Sequence, residues 1–484
     1  MEYKLDFDDP MLGIPVNMIK KTDAFDDIEE PSEQSIQLPD LINDFYDKLN
    51  QSNYTGMSFC LHNIEAKIKL FIDEDFQVLI ESNFLLKISQ LLFDENYIWK
   101  EFILQIFYKL ILKPNIPILD YLINEIEIYD RLFALIAPEN EKLHSKLLTI
   151  LYLFLEANHN LAIRYVRCLN PDILHTLLLS NIPSNYNPLY EATNLLDSIF
   201  EYIPHPEETN EEECAEFREF MLGIYDIARN LILDVYDDMF VSGCIIVSSM
   251  LIACPQYWSD VLVSDEDVNN AIIMNFQSNF CYVKQKAMGV VYCTIKVGLQ
   301  NQIPPFDYLI DLLAWPANNS QEKDLSISKT NIVSFLAAKL LELMIQKEIL
   351  TPSDIIREDF LNCIENNFND QPINSKVVYV SLITLYILYT DPPDHFARII
   401  NSELKVILFD YISSSSPELI LQILHAFNKM MKASECIQGN AFINSLTDDD
   451  MDELSSLLDS QNEEIAQNAE ILLNEIESKI SQDN

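Results

Sequence analysis

Seven histidines, nine cysteines and a run of three aspartates are the residues of this 484-residue chain that could hold a metal or arm a nucleophile. Their spacing does not do so. No two of His62, His144, His159, His175, His205, His395 and His425 stand four apart with a glutamate between them, so the zinc-hydrolase helix is absent. The cysteines form no C-x-x-C pair and read as small buried hydrophobes of a reduced, intracellular protein. The run in "LTDDDMDELSSLL" lacks the glycine turn and distal glutamate of a calcium loop. It reads instead as a helix start, with Thr447 capping and Asp448, Asp449 and Asp450 facing the positive end of the helix dipole. Walker loops, G-x-G-x-x-G and G-x-S-x-G are missing. The expectation is a protein without catalysis, metal or cofactor, whose chemistry is recognition. Gln105, Lys109, Thr149, Asn194, Ser198 and Ser249 are the candidates for it. Their donors and acceptors suit a groove that holds the backbone groups of a protein segment or extended peptide, which lose water on binding.

Those candidates need elements to position them, and the composition says which kind. Apolar residues make up 49%, enough for a large core, while only 7 glycines stand beside 26 phenylalanines and 22 tyrosines. So few glycines argue against folds that need many tight turns. The formal net charge is −45, from 76 acids against 31 lysines and arginines. Such a surface repels phosphate backbones, which excludes nucleic acid as the expected partner, and attracts basic segments of other proteins. The longest apolar run, "VVYVSLITLYILY" at 377–389, is too short for a bilayer and reads as a buried helix. The amino terminus has no basic region ahead of an apolar core, so no secretory signal is expected, and the location is cytoplasmic, with the nucleus open as a second site.

Residues 1–37 read as an acidic tail without sustained period, and 479–484 as a short carboxy-terminal tail. Between them, from Leu38 to residue 478, the pattern is helical. Proline punctuates it where helices begin: Asn170-Pro171, Asn187-Pro188 and Ser416-Pro417 each place a capping side chain ahead of a proline, whose missing N–H costs nothing at the first helical position. "HPEETNEEECAEFRE" at 205–219 reads as an acidic, solvated loop that runs into a helix.

A template recurs through this region: an apolar anchor, a compact residue four later, and an apolar pair three and four after that. Ile465, Ala469, Leu472 and Leu473 fit it, as do Val283, Ala287, Val290 and Val291, then Val333, Ala337, Leu340 and Leu341, and Pro188, Ala192, Leu195 and Leu196. Looser copies pair Trp99 with Ile103, Leu143 with Leu147, Met239 with Gly243, Val377 with Ser381 and Leu419 with Ile423. The anchors fall 42 to 51 residues apart. A step of that size with two or three helices per unit marks stacked α-repeats. The compact slot is expected at the crossing between neighbouring units, where helices pack roughly 8–10 Å apart. No unit buries its stripe alone, so the stack continues and ends in a polar cap, here the segment after Thr447. The reading is an all-α, superhelical solenoid of about nine repeats.

Residues 71–111, with a short helix, a helix ending in "LL", a polar turn and a long third helix, resemble an armadillo unit of the importin-alpha kind. "LSSLLDSQNEEIAQNAEILLNEI" is similar to the third helix of that family. The resemblance implies a concave groove lined by third helices, and a function as a protein-binding scaffold. In that family a tryptophan two positions after the small residue and an asparagine six after it grip a basic peptide. Here those slots hold Gln105 and Lys109, Thr149 and Leu153, Asn194 and Ser198, Ile245 and Ser249, Gly289 and Cys293, Lys339 and Leu343, Ile383 and Ile387, His425 and Lys429, and Ile471 and Glu475. The tryptophans, Trp99, Trp258 and Trp315, lie elsewhere. Residues 1–37 carry ten acids and three lysines where the family's receptor-binding arm is basic. The chain therefore resembles the scaffold without the Trp–Asn ladder. A transport adaptor of importin-alpha type with a diverged ligand code is the alternative reading.

Overall fold

Short polar caps and prolines start the helices much as their chemistry dictates. Thr447 accepts from the Asp450 amide at 3.2 Å while the Asp450 carboxylate accepts from the Thr447 amide at 2.9 Å, a reciprocal capping box. Ser416 accepts from the Leu419 amide at 3.4 Å and Pro417 opens the helix. Asn53 caps the next helix through the Gly56 amide at 3.0 Å. A computed structural model describes residues 37–483, apart from 95–96, 114–115, 170, 180–187, 204–210, 256–260, 263, 300–302, 315–326, 351, 356, 370–372, 391–392, 414 and 438–440. Residues 1–36 of the tail expected at 1–37, the caps Asn170 and Asn187, Trp258, Trp315 and residues 205–210 of the acidic segment lie outside the described residues. The described residues hold no strand, and none of their helices is long and apolar enough to cross a membrane.

The chain forms two compact units that divide after Leu262. In the first unit, α1 (Leu38–Asn50) packs on α2 (Tyr54–Lys67). From there a row of long helices runs α2, α3 (Tyr97–Leu112), α4 (His144–Ala157), α5 (Leu189–Tyr202) and α7 (Asp237–Ala253), each packed on the one before. The long α6 (Glu211–Ile232) lies against α7. In the second unit the row is α8 (Cys281–Lys296), α9 (Ile327–Gln346), α10 (Ile373–Tyr389), α12 (Pro417–Ile437) and α14 (Glu463–Asp483). Here α11 (Glu403–Ile412) and α13 (Asp448–Ser456) back α12 and α14. Each unit is an all-α solenoid, with shorter helices filling the space between rows.

The template residues occupy the places the pattern requires. Eight of the nine compact slots, Ile103, Leu147, Ala192, Ala287, Ala337, Ser381, Ile423 and Ala469, are at most 5% exposed, and the ninth, Gly243, is buried as well. The helix α2 belongs to the row although the template starts one helix later. Burial also separates interior from end. In α8 nearly every side chain from Cys281 to Ile295 is buried, whereas α14 buries one stripe, Ile465, Ala469, Leu472, Leu473 and Ile476, and leaves Gln467, Glu470, Asn474 and Glu477 in water. A polar outer face of this kind is what caps a helical stack.

One expectation changes. The compact slot was assigned to the crossing between neighbouring units. At Gly243 the closest approach is to α6, the helix just before it: an added Cβ would stand 2.7 Å from the Ile232 side chain and 2.9 Å from the Ala228 carbonyl oxygen. Backbone contact within one helix pair demands the small residue there.

A second device was not visible as a pattern. Three residues before the slot, Lys100, His144 and Lys284 are buried polar groups at the start of row helices. Lys100 donates to Asn140 at 3.1 Å, His144 Nε2 lies 3.0 Å from the Ala137 carbonyl oxygen, and Lys284 donates to the Phe276 carbonyl at 2.7 Å. Each satisfies an acceptor at a turn that would otherwise be desolvated. For Lys284 burial dominates and pushes the amine down to about 8. Below that pH both folded and unfolded chains are protonated, and the folded one bears the desolvation cost. Between about 8 and the ordinary lysine value of about 10.4 the unfolded chain holds the extra proton, so stability rises with pH through that window. Thermal melts of the parent and of Lys284→Met should therefore diverge in the parent's favour as pH rises from about 8 to about 10; parallel curves would refute the assignment.

The seven cysteines whose side chains are described behave as expected of inert thiols. Cys60, Cys244, Cys254, Cys281 and Cys293 are buried, and Cys168 and Cys363 are half-buried. Cys60 and Cys168 donate to Asp44 at 3.2 Å and to Asp130 at 3.1 Å. Burial, with those carboxylates, pushes both thiols up to about 12, so neither is a thiolate near neutral pH.

Candidate partner-binding face

The candidate recognition residues lie on consecutive row helices of the first unit. Gln105 and Lys109 are on α3, Thr149 on α4, Asn194 and Ser198 on α5, and Ser249 on α7. Helices one layer apart share this face, and the structure shows how. In four of the nine template helices the residue six after the compact slot reaches back to the preceding row helix. Lys109 pairs with Glu65 of α2, a carboxylate only 2% exposed that His62 also approaches at 3.6 Å. Ser198 donates to Glu156 of α4 at 3.5 Å, and Ser249 donates to Asp197 of α5 as well as to the Ile245 carbonyl at 2.8 Å. In the second unit Lys429 of α12 donates to the Leu388 carbonyl of α10 at 2.6 Å. The slot is thus a tie between layers.

The remaining candidates differ in what they leave for a ligand. Gln105 is 7% exposed. Thr149 donates to the Ser145 carbonyl at 2.9 Å, which leaves its oxygen able to accept. Asn194 is half-buried, and its amide makes no hydrogen bond among the described residues. It shares an unengaged amide with Gln105 and is the more exposed of the two. Ser198 and Ser249 converge through α5, since Asp197 accepts from one and its neighbour Ser198 reaches Glu156; Gln105 and Lys109 stand apart on α3.

Spacing alone did not reveal the groups around this chain of contacts. Tyr202 donates to Glu156 at 3.3 Å, and the ring of His159 stacks on Tyr202 with centroids 3.7 Å apart. Tyr190 donates to Asp238 of α7 at 2.6 Å. Burial, then the charges of Glu156, Glu201 and Asp197, raise the Tyr152 hydroxyl above its usual range. Burial and Glu156 do the same for Tyr202. The face from α4 to α7 is therefore aromatic, hydroxyl-bearing and negative. The signal in the sequence was the i, i+3, i+7, i+10 spacing of Glu191, Asn194, Ser198 and Glu201, which places two acids, an amide and a hydroxyl on one stripe. No grouping of three or more His, Cys, Asp or Glu with metal-ligand geometry occurs among the described residues.

Fold and face together define an α-solenoid whose row helices present side chains in register. No family model matches the chain, and no curated protein matches it significantly. Among solved structures it is similar to an engineered protein known from a crystal structure, at 12% identity and a TM-score of 0.56, over 90% of this chain and 99% of that one. That likeness concerns the fold. A chain from a structure concerning a conserved phosphorylation switch in the interaction between cadherin and beta-catenin aligns over 92% of each chain, at 12% identity and a TM-score of 0.40, too low to support an argument.

Proposed function

We propose that the protein is a non-catalytic, intracellular scaffold of armadillo-like type that binds a partner protein or extended peptide along the row-helix face of its first unit. The observation that carries this reading is the succession of hydrogen-bonding side chains on adjacent packed helices, Thr149 on α4, Asn194 and Ser198 on α5 and Ser249 on α7, with the Asn194 amide unengaged among the described residues. An extended peptide has a free backbone donor and acceptor every residue, and a row of helices at regular spacing meets them with one side chain per layer. The experiment is affinity capture from the native cell with the parent and with the Asn194→Ala/Ser198→Ala double variant. Loss of a buried hydrogen-bonding pair on this scale weakens a complex by roughly 1–3 kcal/mol, about fivefold to somewhat over a hundredfold. A captured partner held equally well by both proteins removes the face from the proposal.

The negative character of Glu156, Asp197 and Glu201 around Tyr152 and Tyr202 favours a second reading, a diverged importin-alpha-type adaptor for basic cargo. Retention of a lysine-rich peptide at moderate salt supports it. Attraction by charge alone fades as the screening length shrinks to about 8 Å at physiological ionic strength.

A further inference from the structure

Three large aliphatic side chains reach water at one end of the first unit. Leu70 is 78% exposed, Ile72 61% and Leu112 53%. Leu70 ends the short turn of helix Ile68–Leu70 that follows α2, and Ile72 is the N-cap of the helix Asp73–Glu81. Leu112 is the last residue of α3. The helix α3 packs on the Ile68–Leu70 turn, and Lys113, next after Leu112, donates to the Phe71 carbonyl at 2.7 Å. The three residues therefore surround one junction. Single exposed aliphatics are ordinary, whereas several at one place mark an interaction surface.

The described chain enters the fold at this same end. The helices α1 and α2 are joined by the turn Gln51–Asn53 and run antiparallel. The Cys60 thiol donates to Asp44 at 3.2 Å, and a Cβ added at Gly56 would stand 2.8 Å from the Lys48 side chain. Within each pair the two residues lie equally far from Ser52 along the chain. Continuing that register puts Leu38, the first residue of α1, beside the last turn of α2, a few residues before Leu70.

Ahead of α1 the acidic sequence is interrupted by one uncharged run, "PMLGIPVNMI" at 10–19, and Lys20 and Lys21 follow it directly. At the junction Asp73, Glu74 and Asp75 follow Ile72 directly. An apolar run followed by two cations thus matches an apolar group followed by three carboxylates. Eighteen residues, 20–37, separate the run from α1. A flexible linker of that length spans about 25 Å on average and about 60 Å fully extended, so the run reaches a junction beside its own point of entry. Tethering also gives an effective concentration on the order of millimolar, so the contact needs little affinity of its own. We propose that residues 10–19 of this chain dock on the junction formed by Leu70, Ile72 and Leu112, with Lys20 and Lys21 beside the acids at 73–75.

The inference stands apart from the reading of the row-helix face, because it concerns helix ends and a segment of the chain itself. The experiment replaces Val16 of the full chain with the photoreactive p-benzoylphenylalanine and maps the products of irradiation by mass spectrometry at low and at high protein concentration. The expected product is an intramolecular link to residues 66–75 or 109–113, with a yield independent of concentration. Leu70→Asp/Ile72→Asp should lower that yield about fivefold or more, since charge replaces the apolar contact. Leu458→Asp, at an exposed aliphatic of the second unit, should leave it unchanged. Leu70 and Ile72 reach solvent, so thermal melting of their variant should match the parent's. Leu12→Asp/Ile14→Asp, which leaves every described helix untouched, should lower the yield alike. Absence of links, links spread along the chain or made mainly elsewhere, a linked dimer that grows with concentration, or a yield indifferent to either double variant overturns the proposal.

Discussion

Gly243→Ala is expected to destabilise the first unit by about 2–3 kcal/mol, although alanine is the better helix former. The added methyl would lie 2.7 Å from Ile232 Cγ1, 2.9 Å from the Ala228 carbonyl oxygen and 3.0 Å from the Ile232 amide nitrogen. Two of those three atoms are backbone of α6, so relief requires the helices to move apart rather than one side chain to turn. The propensity gain of roughly 1 kcal/mol offsets only part of that. Gly223, in the middle of α6, provides the contrast: a methyl there meets nothing within 4 Å. Gly223→Ala should stabilise by about 0.5–1 kcal/mol through the same propensity term. Urea unfolding of the two variants should move their midpoints in opposite directions. A Gly243→Ala midpoint at or above the parent's would mean that the α6–α7 crossing is looser than described.

Asp450→Ala should cost the second unit about 3–5 kcal/mol. Its carboxylate does two jobs. It closes the capping box of α13 through the Thr447 amide at 2.9 Å, and it accepts from Lys405 of α11 at 3.1 Å, in a pair whose side chains are 12% and 8% exposed. Removing it forfeits a cap worth about 1 kcal/mol and leaves the Lys405 ammonium with the Ser445 carbonyl as its remaining acceptor in a site closed to water. The loss therefore comes mainly from an uncompensated buried charge. Lys405→Met in the Asp450→Ala background should recover much of it, because an apolar side chain of similar length has no charge to desolvate. Additive losses in the double variant would show that capping alone matters. Asp448→Ala and Asp449→Ala, at the exposed start of the same helix, should each cost only about 0.3–1 kcal/mol.

The contrast among those three aspartates shows what a linear pattern conveys. Thr447 and its acids announce a helix start because capping is local: donor and acceptor lie three residues apart, and backbone geometry brings them together. That Asp450 also faces Lys405, forty-five residues earlier, depends on how α11 packs against α13, and no short-range rule relates the two. The same division runs through the candidate face. The stripe of Asn194, Ser198 and Ser249 was legible from the 3.6-residue period. Their partners Glu156 and Asp197 were not, since each lies on the preceding helix, at an offset set by the crossing. The compact slots were legible as a class, yet what fills the space opposite Gly243 was misassigned, because periodicity identifies a crowded face without naming the neighbour.

By itself the sequence determined that the chain is helical and layered at steps of 42 to 51 residues, with a polar helical segment after Thr447; helical period, caps and breakers are local physics written residue by residue. Only the tertiary structure decided which side chains tie one layer to the next and which helix each small residue admits. The ties between layers join residues 41 to 52 apart along the chain, Gly243 meets residues only 11 to 15 earlier, and packing alone sets the distance between them.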